Sequence, residues 1–446
     1  MTSNKLTALP HPGDADKTPT SSWDWLAWFK KIAILLSGWI KLKTRVRGYQ
    51  HVTDVYWLVL VAKVLSGLSS AEASDWLNEL MFARANARLR RKRAPRKLGS
   101  VNGERHARLV PHQTQVDAFQ RAIPKWAAKQ LVNLVFKAQL QVARAAGLLG
   151  REARFLVDYT EHAYYGQLQP RDDPLITGTT KQQGTRRARN FLAAMVVSGT
   201  TRLFCGLTHV PKGADRPALV LAMLDEVRAL GVNVKWLLAD RGFWNLHLVA
   251  GCVVRGVKFL TPAKSYKKVK ALARAYLLGT GDRVVEYPMS GAPAKWYKCG
   301  TVRGWLVFGL TKGHSLRDVR ARVDAGSLPV NDALKLVYAL YTTAEPPSKA
   351  RAWNAWVQNL RRLYKVRWYI ETAFRDVNRL VDVEHPRSHV GKFFALGLRM
   401  AVYNAWQVER ARWRRTRVTP RCRRRGPTLA RFLRDQQARV APVEVI

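Results

Sequence analysis

At about residue 152 the hydrophobic pattern of the chain changes from helical spacing to short apolar runs, and two of those runs end in an aspartate. Phe155-Leu156-Val157 leads into Asp158, and Val234-Lys235-Trp236-Leu237-Leu238-Ala239 leads into Asp240. A short apolar run with polar flanks reads as a buried strand, and the carboxyl end of such a strand presents side chains to a ligand. The elements around these runs follow in a readable order. Asn190–Gly199 and Thr200–Val210 read as two more strands joined at Ser198-Gly199. Ala218–Leu230 is an amphipathic helix, His247–Arg255 a second helix, and Val257–Thr261 a further strand.

Three strands in a meander, then helix, strand, helix, strand, is the order of an RNase H-like α/β core. That fold brings two strand-borne acids and one helix-borne acid to a common edge. The third acid is supplied by Tyr364-Lys365-Val366-Arg367-Trp368-Tyr369-Ile370-Glu371, which continues through Arg375 and Asn378. Read as one helix over Tyr364–Leu380, the Y-x2-R-x3-E spacing puts Tyr364, Arg367 and Glu371 on one face, with Arg375 a turn further. Val366, Ile370 and Phe374 form the apolar stripe. Asp158, Asp240 and Glu371 are the candidate catalytic and metal-ligating residues. Two Mg²⁺ ions about 4 Å apart, or Mn²⁺ in their place, need shared carboxylate oxygens. Asp173, Asp225, Glu226 and Asp376 are poorer candidates. Two plainer readings stay open on residues alone. An acid after a strand is often a turn former, and Tyr364 and Arg367 suit a packing aromatic and an Arg that pairs a carboxylate.

These motifs resemble those of the DDE transposases of bacterial and archaeal insertion sequences, in the subgroup marked by Y-x2-R-x3-E-x6-K. Tyr364, Arg367 and Glu371 match, Asn378 stands at the Lys position, and Asp240-Arg241-Gly242-Phe243 matches the second-acid string. The resemblance covers about residues 150–410. It implies an RNase H-like catalytic core with a β-rich insertion between the second and third acids. It also implies metal-dependent cleavage and strand transfer on double-stranded DNA, at terminal inverted repeats and in target DNA, by a homodimer assembled on DNA. Tyr364, Arg367 and Arg375 would then contact phosphates near the cleaved end. Asn378 leaves open whether excision passes through a DNA hairpin.

The charge agrees with a polyanionic partner. The chain has 446 residues, a formal net charge of +45 and a pI near 10.9. Such a surplus favours nucleic acid. No apolar run of ~18 residues argues for a membrane span. Four widely spaced cysteines give no zinc or disulfide pattern, and no phosphate-binding loop of the ATPase type is present. No export signal is read at the N-terminus, so a cytoplasmic, nucleoid-associated protein is expected. A junction-resolving nuclease without strand transfer, and a non-catalytic DNA-binding protein derived from a transposase, are the alternatives.

Residues 1–20 read as a flexible tail and 21–150 as a helical DNA-binding region. Val55, Leu58, Val59, Ala62 and Leu65 recur at helical spacing, Gly67 ends that helix, and Ser69-Ser70-Ala71-Glu72 has the form of a capping box. Helix, turn, helix is the outline of a DNA-reading motif or of an ordinary helical hairpin. A basic linker near 84–99 carries Arg90, Arg91, Lys92 and Arg93 as candidate phosphate contacts. The catalytic domain is expected over 151–413, its β-rich insertion over about 265–345, and a basic tail over 414–446. Trp296 and Trp305, in the insertion, are either base-stacking or core residues.

Overall fold

The computed structural model describes residues 53–66, 69, 71–79, 114–116, 119, 125–167, 173–182, 184–291, 300–311, 313–380, 389–416 and 427–440. Arg90, Arg91, Lys92, Arg93 and Trp296 lie outside them. The chain divides into two compact units: Leu149–Thr372, and Met1–Leu148 together with Ala373–Ile446.

The first unit is built on one nine-stranded sheet. Its strands are β1 (Ala153–Ala163), β2 (Ile176–Gln182), β3 (Thr185–Ser198), β4 (Thr201–His209), β5 (Val234–Ala239), β6 (Lys258–Pro262), β7 (Val284–Glu286), β10 (Trp305–Leu310) and β11 (Val337–Thr342). Two short strands, β8 (Met289–Ser290) and β9 (Thr301–Val302), pair separately. The main order is β2-β3-β1-β5-β6-β11-β10-β7, with β4 also on β3. Read through the core alone this is β4-β3-β1-β5-β6, the RNase H-like arrangement: an antiparallel meander, then two parallel strands. Helices Arg216–Ala229 and Leu246–Val254 supply the crossovers, as parallel neighbours require. They pack closely enough that a Cβ on Gly251 would run into Leu221.

Four features differ from the sequence expectation. β1 does not stop at Asp158 but runs on to Ala163, because β3 continues to pair with it. β2, a polar strand with no clear alternation, pairs with the first half of β3. The β-rich insertion expected over 265–345 is present, and it also carries three helices that the pattern did not suggest. β11, β10 and β7 extend the main sheet, and helices Lys267–Leu278, Leu316–Asp324 and Val330–Lys335 lie between them in the chain. Finally, the expected single helix over 364–380 is two helices, Trp353–Lys365 and Trp368–Asn378. At the joint, the amides of Val366, Arg367, Tyr369 and Ile370 donate to carbonyls three residues back. That is tighter 3₁₀ bonding, which eclipses side chains at i and i+3.

The second unit is helical. Thr53–Ser66, Lys125–Ala145, His389–Thr416 and Leu429–Val440 are its long described helices. The capping box forms as read: Ser69 N–H donates to Glu72 Oε2 at 2.8 Å, and Glu72 N–H to Ser69 Oγ at 3.2 Å. Lys125–Ala145 packs against His389–Thr416. Gln139, buried, donates to the Ala401 carbonyl at 2.8 Å and accepts from Asn404 at 2.9 Å. The His389 helix runs through the boundary expected at 413. Arg415, expected in a basic tail, donates to the carbonyls of Ala146 and Gly147. It thereby satisfies the open end of the Lys125 helix, where a cation is favoured.

Candidate active site

The site starts from the last rung of a parallel ladder. Val157 of β1 pairs with Ala239 of β5, and Asp158 and Asp240 are the next residues on each strand. Neighbouring strands are about 4.8 Å apart, and residues in register face the same side. The two aspartates are therefore neighbours at the carboxyl edge of the parallel strands. Apolar residues fill the rungs beneath, where Phe155, Leu156, Val157, Leu237, Leu238 and Ala239 are all buried. The acids thus sit at the rim of a rigid core.

Each aspartate is held differently. Asp158 remains in β1, opposite Ala193 of β3, and its Oδ1 accepts from the Tyr159 amide at 2.9 Å. Asp240 leaves β5 and opens the 3₁₀ turn Arg241–Phe243. Its carbonyl accepts from Phe243 N–H at 3.0 Å and from Thr261 Oγ1 of β6 at 3.0 Å, which fixes the backbone and leaves the carboxylate exposed. The two acid-bearing segments are clasped by aromatic stacking. The rings of Tyr159 and Phe243 lie 4.6 Å apart and 8° from parallel, with the Arg216 guanidinium 5.2 Å from the Tyr159 ring. This clasp was not read from the sequence, although the Asp-Arg-Gly-aromatic string contains half of it.

Glu371 arrives on the first turn of the helix Trp368–Asn378. Ile370, Ala373 and Val377 bury one stripe of that helix, and the guanidinium of Arg202 lies 3.4 Å over the Tyr369 ring. Arg367 stands at the joint before it. One end nitrogen, Nη1, lies 3.4 Å from Asp158 Oδ2, and Nη2 donates to Glu371 Oε1. Its side chain is only 9% exposed, and its Nε is buried with no hydrogen-bond partner. The Tyr364 ring is 5.7 Å from the same guanidinium, and burial pushes the Tyr364 hydroxyl up to about 12.

Arg367 thus stands as a largely buried cation between two acids. Arg375, one turn beyond Glu371, is exposed. Trp305 is buried in β10 between β11 and β7, so its ring is a core residue and not a base-stacking surface. Trp368, 63% exposed and one turn before Glu371, is the aromatic the sequence did not single out.

Burial dominates the electrostatics at Asp158. Burial raises the Asp158 carboxyl to about 6; Arg367 and the Tyr159 amide pull it down, while Glu371 and Asp240 push it up. Among the described residues, no three His, Cys, Asp or Glu side chains are gathered closely enough to hold a metal ion as they stand. Yet the donor set suits a hard divalent cation. It consists of carboxylate oxygens only, the acids sense one another, and a guanidinium already bridges two of them. A cavity of about 270 Å³, lined by Glu152, Arg154, Lys235, Trp236, Trp356 and Leu360, lies at the amino ends of β1 and β5, the opposite edge from the acids.

An RNase H-like sheet thus carries one aspartate on each strand just past the last rung of its parallel β1–β5 ladder, with a third acid on a following helix. The chain belongs to the family described as the transposase DDE domain, whose profile matches residues 153–405. Among solved structures, the piggyBac transposase synaptic complex with hairpin DNA is similar in fold. Its TM-score is 0.51 at 12% identity, over 94% of this chain and 80% of that one. No curated protein matches the chain in sequence. Among the described residues, no helix is long and apolar enough to cross a membrane.

Proposed function

We propose that the chain is an insertion-sequence transposase that binds the ends of its element and cuts and joins DNA strands there. Asp158, Asp240 and Glu371 are its catalytic residues and would hold divalent magnesium, two ions in the family's manner. Bound there, the metal supplies Lewis-acid activation of water and of the phosphodiester. The remaining work belongs to the protein. β1 and β5 fix two carboxylates side by side, and the Trp368 helix brings the third. Arg367 bridges Asp158 and Glu371 until a stronger cation arrives. In the first reaction a water oxygen attacks phosphorus and the bond to the 3′ oxygen breaks, leaving a 3′ hydroxyl. In the second, that hydroxyl attacks a phosphodiester of the target: the new bond joins its oxygen to phosphorus, the target's own bond from phosphorus to its 3′ oxygen breaks, and the departing 3′ oxygen takes up the proton.

The observation that carries this reading is the rung Val157–Ala239 with an aspartate one residue beyond it on each strand. The +45 charge suits a DNA partner. We assign end recognition to the helical region and its basic linker, with Arg90, Arg91, Lys92 and Arg93 as phosphate contacts and Arg375 as a cation beside Glu371. Pairing two ends calls for a homodimer on DNA, working in the nucleoid. The test is Mg²⁺-dependent nicking and strand transfer on a plasmid carrying the element's terminal repeats. Wild type is expected to do both. Asp158→Asn, Asp240→Asn and Glu371→Gln are each expected to do neither while still binding DNA. Nicking without strand transfer would identify a nuclease, and normal nicking by any of the three variants would remove that residue from the site.

A further inference from the structure

A second feature occupies the same edge of the sheet as the acids. β6 runs parallel to β5, so its carboxyl end, Pro262, emerges beside Asp240, and Thr261 bonds the Asp240 carbonyl. The chain then continues as Ala263-Lys264-Ser265-Tyr266-Lys267-Lys268 into the helix Lys267–Leu278. Tyr266 is 53% exposed, an unusual position for a large ring. It is supported from beneath: Trp244, the residue that ends the Asp240 turn, lies 5.7 Å away and is itself buried. Trp244 also packs on Tyr341 at 5.2 Å and Tyr287 at 6.1 Å, and Lys268 lies 5.3 Å over Tyr287. Tyr266 is therefore the outer member of a packed cluster of tilted aromatic rings. Along its own segment the charge has one sign. Lys267, Lys268 and Lys270 are exposed, Lys264 is partly exposed, and no acidic residue occurs between Asp240 and Asp282.

We propose that Tyr266, with Lys264, Lys267 and Lys268, is a platform for an unpaired nucleotide of DNA at the acid site. A base stacks on the ring, and the lysines take the flanking phosphates. The inference rests on DNA being the substrate. A backed aromatic face suits any base, and lysines track a backbone without reading sequence. A strand must be free of its partner to use it. The surface therefore distinguishes opened DNA from intact duplex, a preference the acids themselves do not supply.

The experiment uses the full-length protein without metal, so that binding is separated from cleavage. Two duplexes are compared by fluorescence anisotropy, one blunt and one with a short single-stranded overhang carrying 2-aminopurine, at salt high enough to suppress the general phosphate attraction. Wild type is expected to prefer the overhang and to quench the 2-aminopurine. Tyr266→Ala should lose both effects, with overhang affinity falling about tenfold, the range of one stacked base, and blunt-duplex affinity unchanged. Tyr266→Phe should behave as wild type, because the ring is kept. Lys267→Gln with Lys268→Gln should weaken overhang binding while 2-aminopurine is still quenched at saturation. Wild-type quenching by Tyr266→Ala, or loss in Tyr266→Phe equal to that in Tyr266→Ala, overturns the proposal. Failure of nicking by wild type would defeat the transposase reading yet leave this binding result standing, so the two are separable.

Discussion

Arg367 and Asp158 meet at 3.4 Å in a largely buried site, and the same guanidinium also holds Glu371. Two of the three acids are therefore already bridged by a cation that belongs to the chain. On the proposed function, a divalent ion entering the site would compete with that cation, and Arg367 would set how tightly the acids take metal.

Arg367→Ala should separate these roles. With chelator present, the variant should lose stability on the order of 2 kcal/mol. That is less than the ~3–5 for breaking a fully buried pair, because Glu371 is partly exposed and Asp158 can take up a proton. Mn²⁺ should then raise its melting temperature more than it raises that of wild type, because no internal cation has to leave. Arg367→Lys should fall between, since an ammonium cannot span both carboxylates as a guanidinium fork does. Melting curves with and without Mn²⁺ check this, and equal Mn²⁺ shifts in wild type and Arg367→Ala would refute it.

The raised Asp158 carboxyl has a defined pH signature. Its folded value of about 6 lies above the ordinary 3.8. The folded state therefore holds the proton more tightly, and the group's contribution to stability is present below about pH 4 and lost as pH rises through about 6. In Asp158→Asn that loss is absent. Measured in chelator, the stability of this variant relative to wild type should increase between pH 4 and pH 8 by on the order of 2–3 kcal/mol. A stability difference that does not change with pH would show that Asp158 is not perturbed by its burial.

The stack between Tyr159 and Phe243 is expected to couple the two aspartates mechanically. A double-mutant cycle with Tyr159→Leu and Phe243→Leu, followed by urea unfolding, should give a coupling of about 0.5–1.5 kcal/mol. Each single variant should also cut more slowly than it loses DNA affinity, because only the relative placement of the acids changes. Strictly additive energies would mean that the rings are merely adjacent.

Gly251 tests the crossover packing behind Asp240. Any Cβ there meets the Leu221 side chain, so Gly251→Ala should destabilise the catalytic unit by about 1–3 kcal/mol through overpacking, despite the better helix propensity of alanine. Gly251→Ala combined with Leu221→Ala should recover part of that loss. No recovery in the double variant would place the cost elsewhere.

Much of the core was legible because its signals are local. β5 falls on Val234–Ala239 as read, since an apolar run ending in Asp-Arg-Gly marks both the strand and its stop. The Ser69–Glu72 box was legible for the same reason. What was missed depends on partners distant in sequence. The length of β1 is set by β3, and β2 is a strand only because β3 pairs with it. The stretch 265–345 has the strands its pattern suggests, but nothing in that pattern says they join β6. The Arg367 outcome is subtler. The spacing to Glu371 is local and legible, but the pairing of the Arg367 guanidinium with Asp158, 209 residues earlier, is not.

β6 is the seam of this sheet: it is parallel to β5 on one side and antiparallel to β11 on the other. A shortened chain that lacked the segment after β6 would therefore not be a simpler enzyme with the same acids. It would present the open side of β6, a row of unpaired amides and carbonyls beside a buried apolar core, and strands of that kind recruit copies of themselves. For this chain, trimming toward a minimal catalytic core should yield aggregates, and truncations that keep β11 should be the ones that remain dispersed.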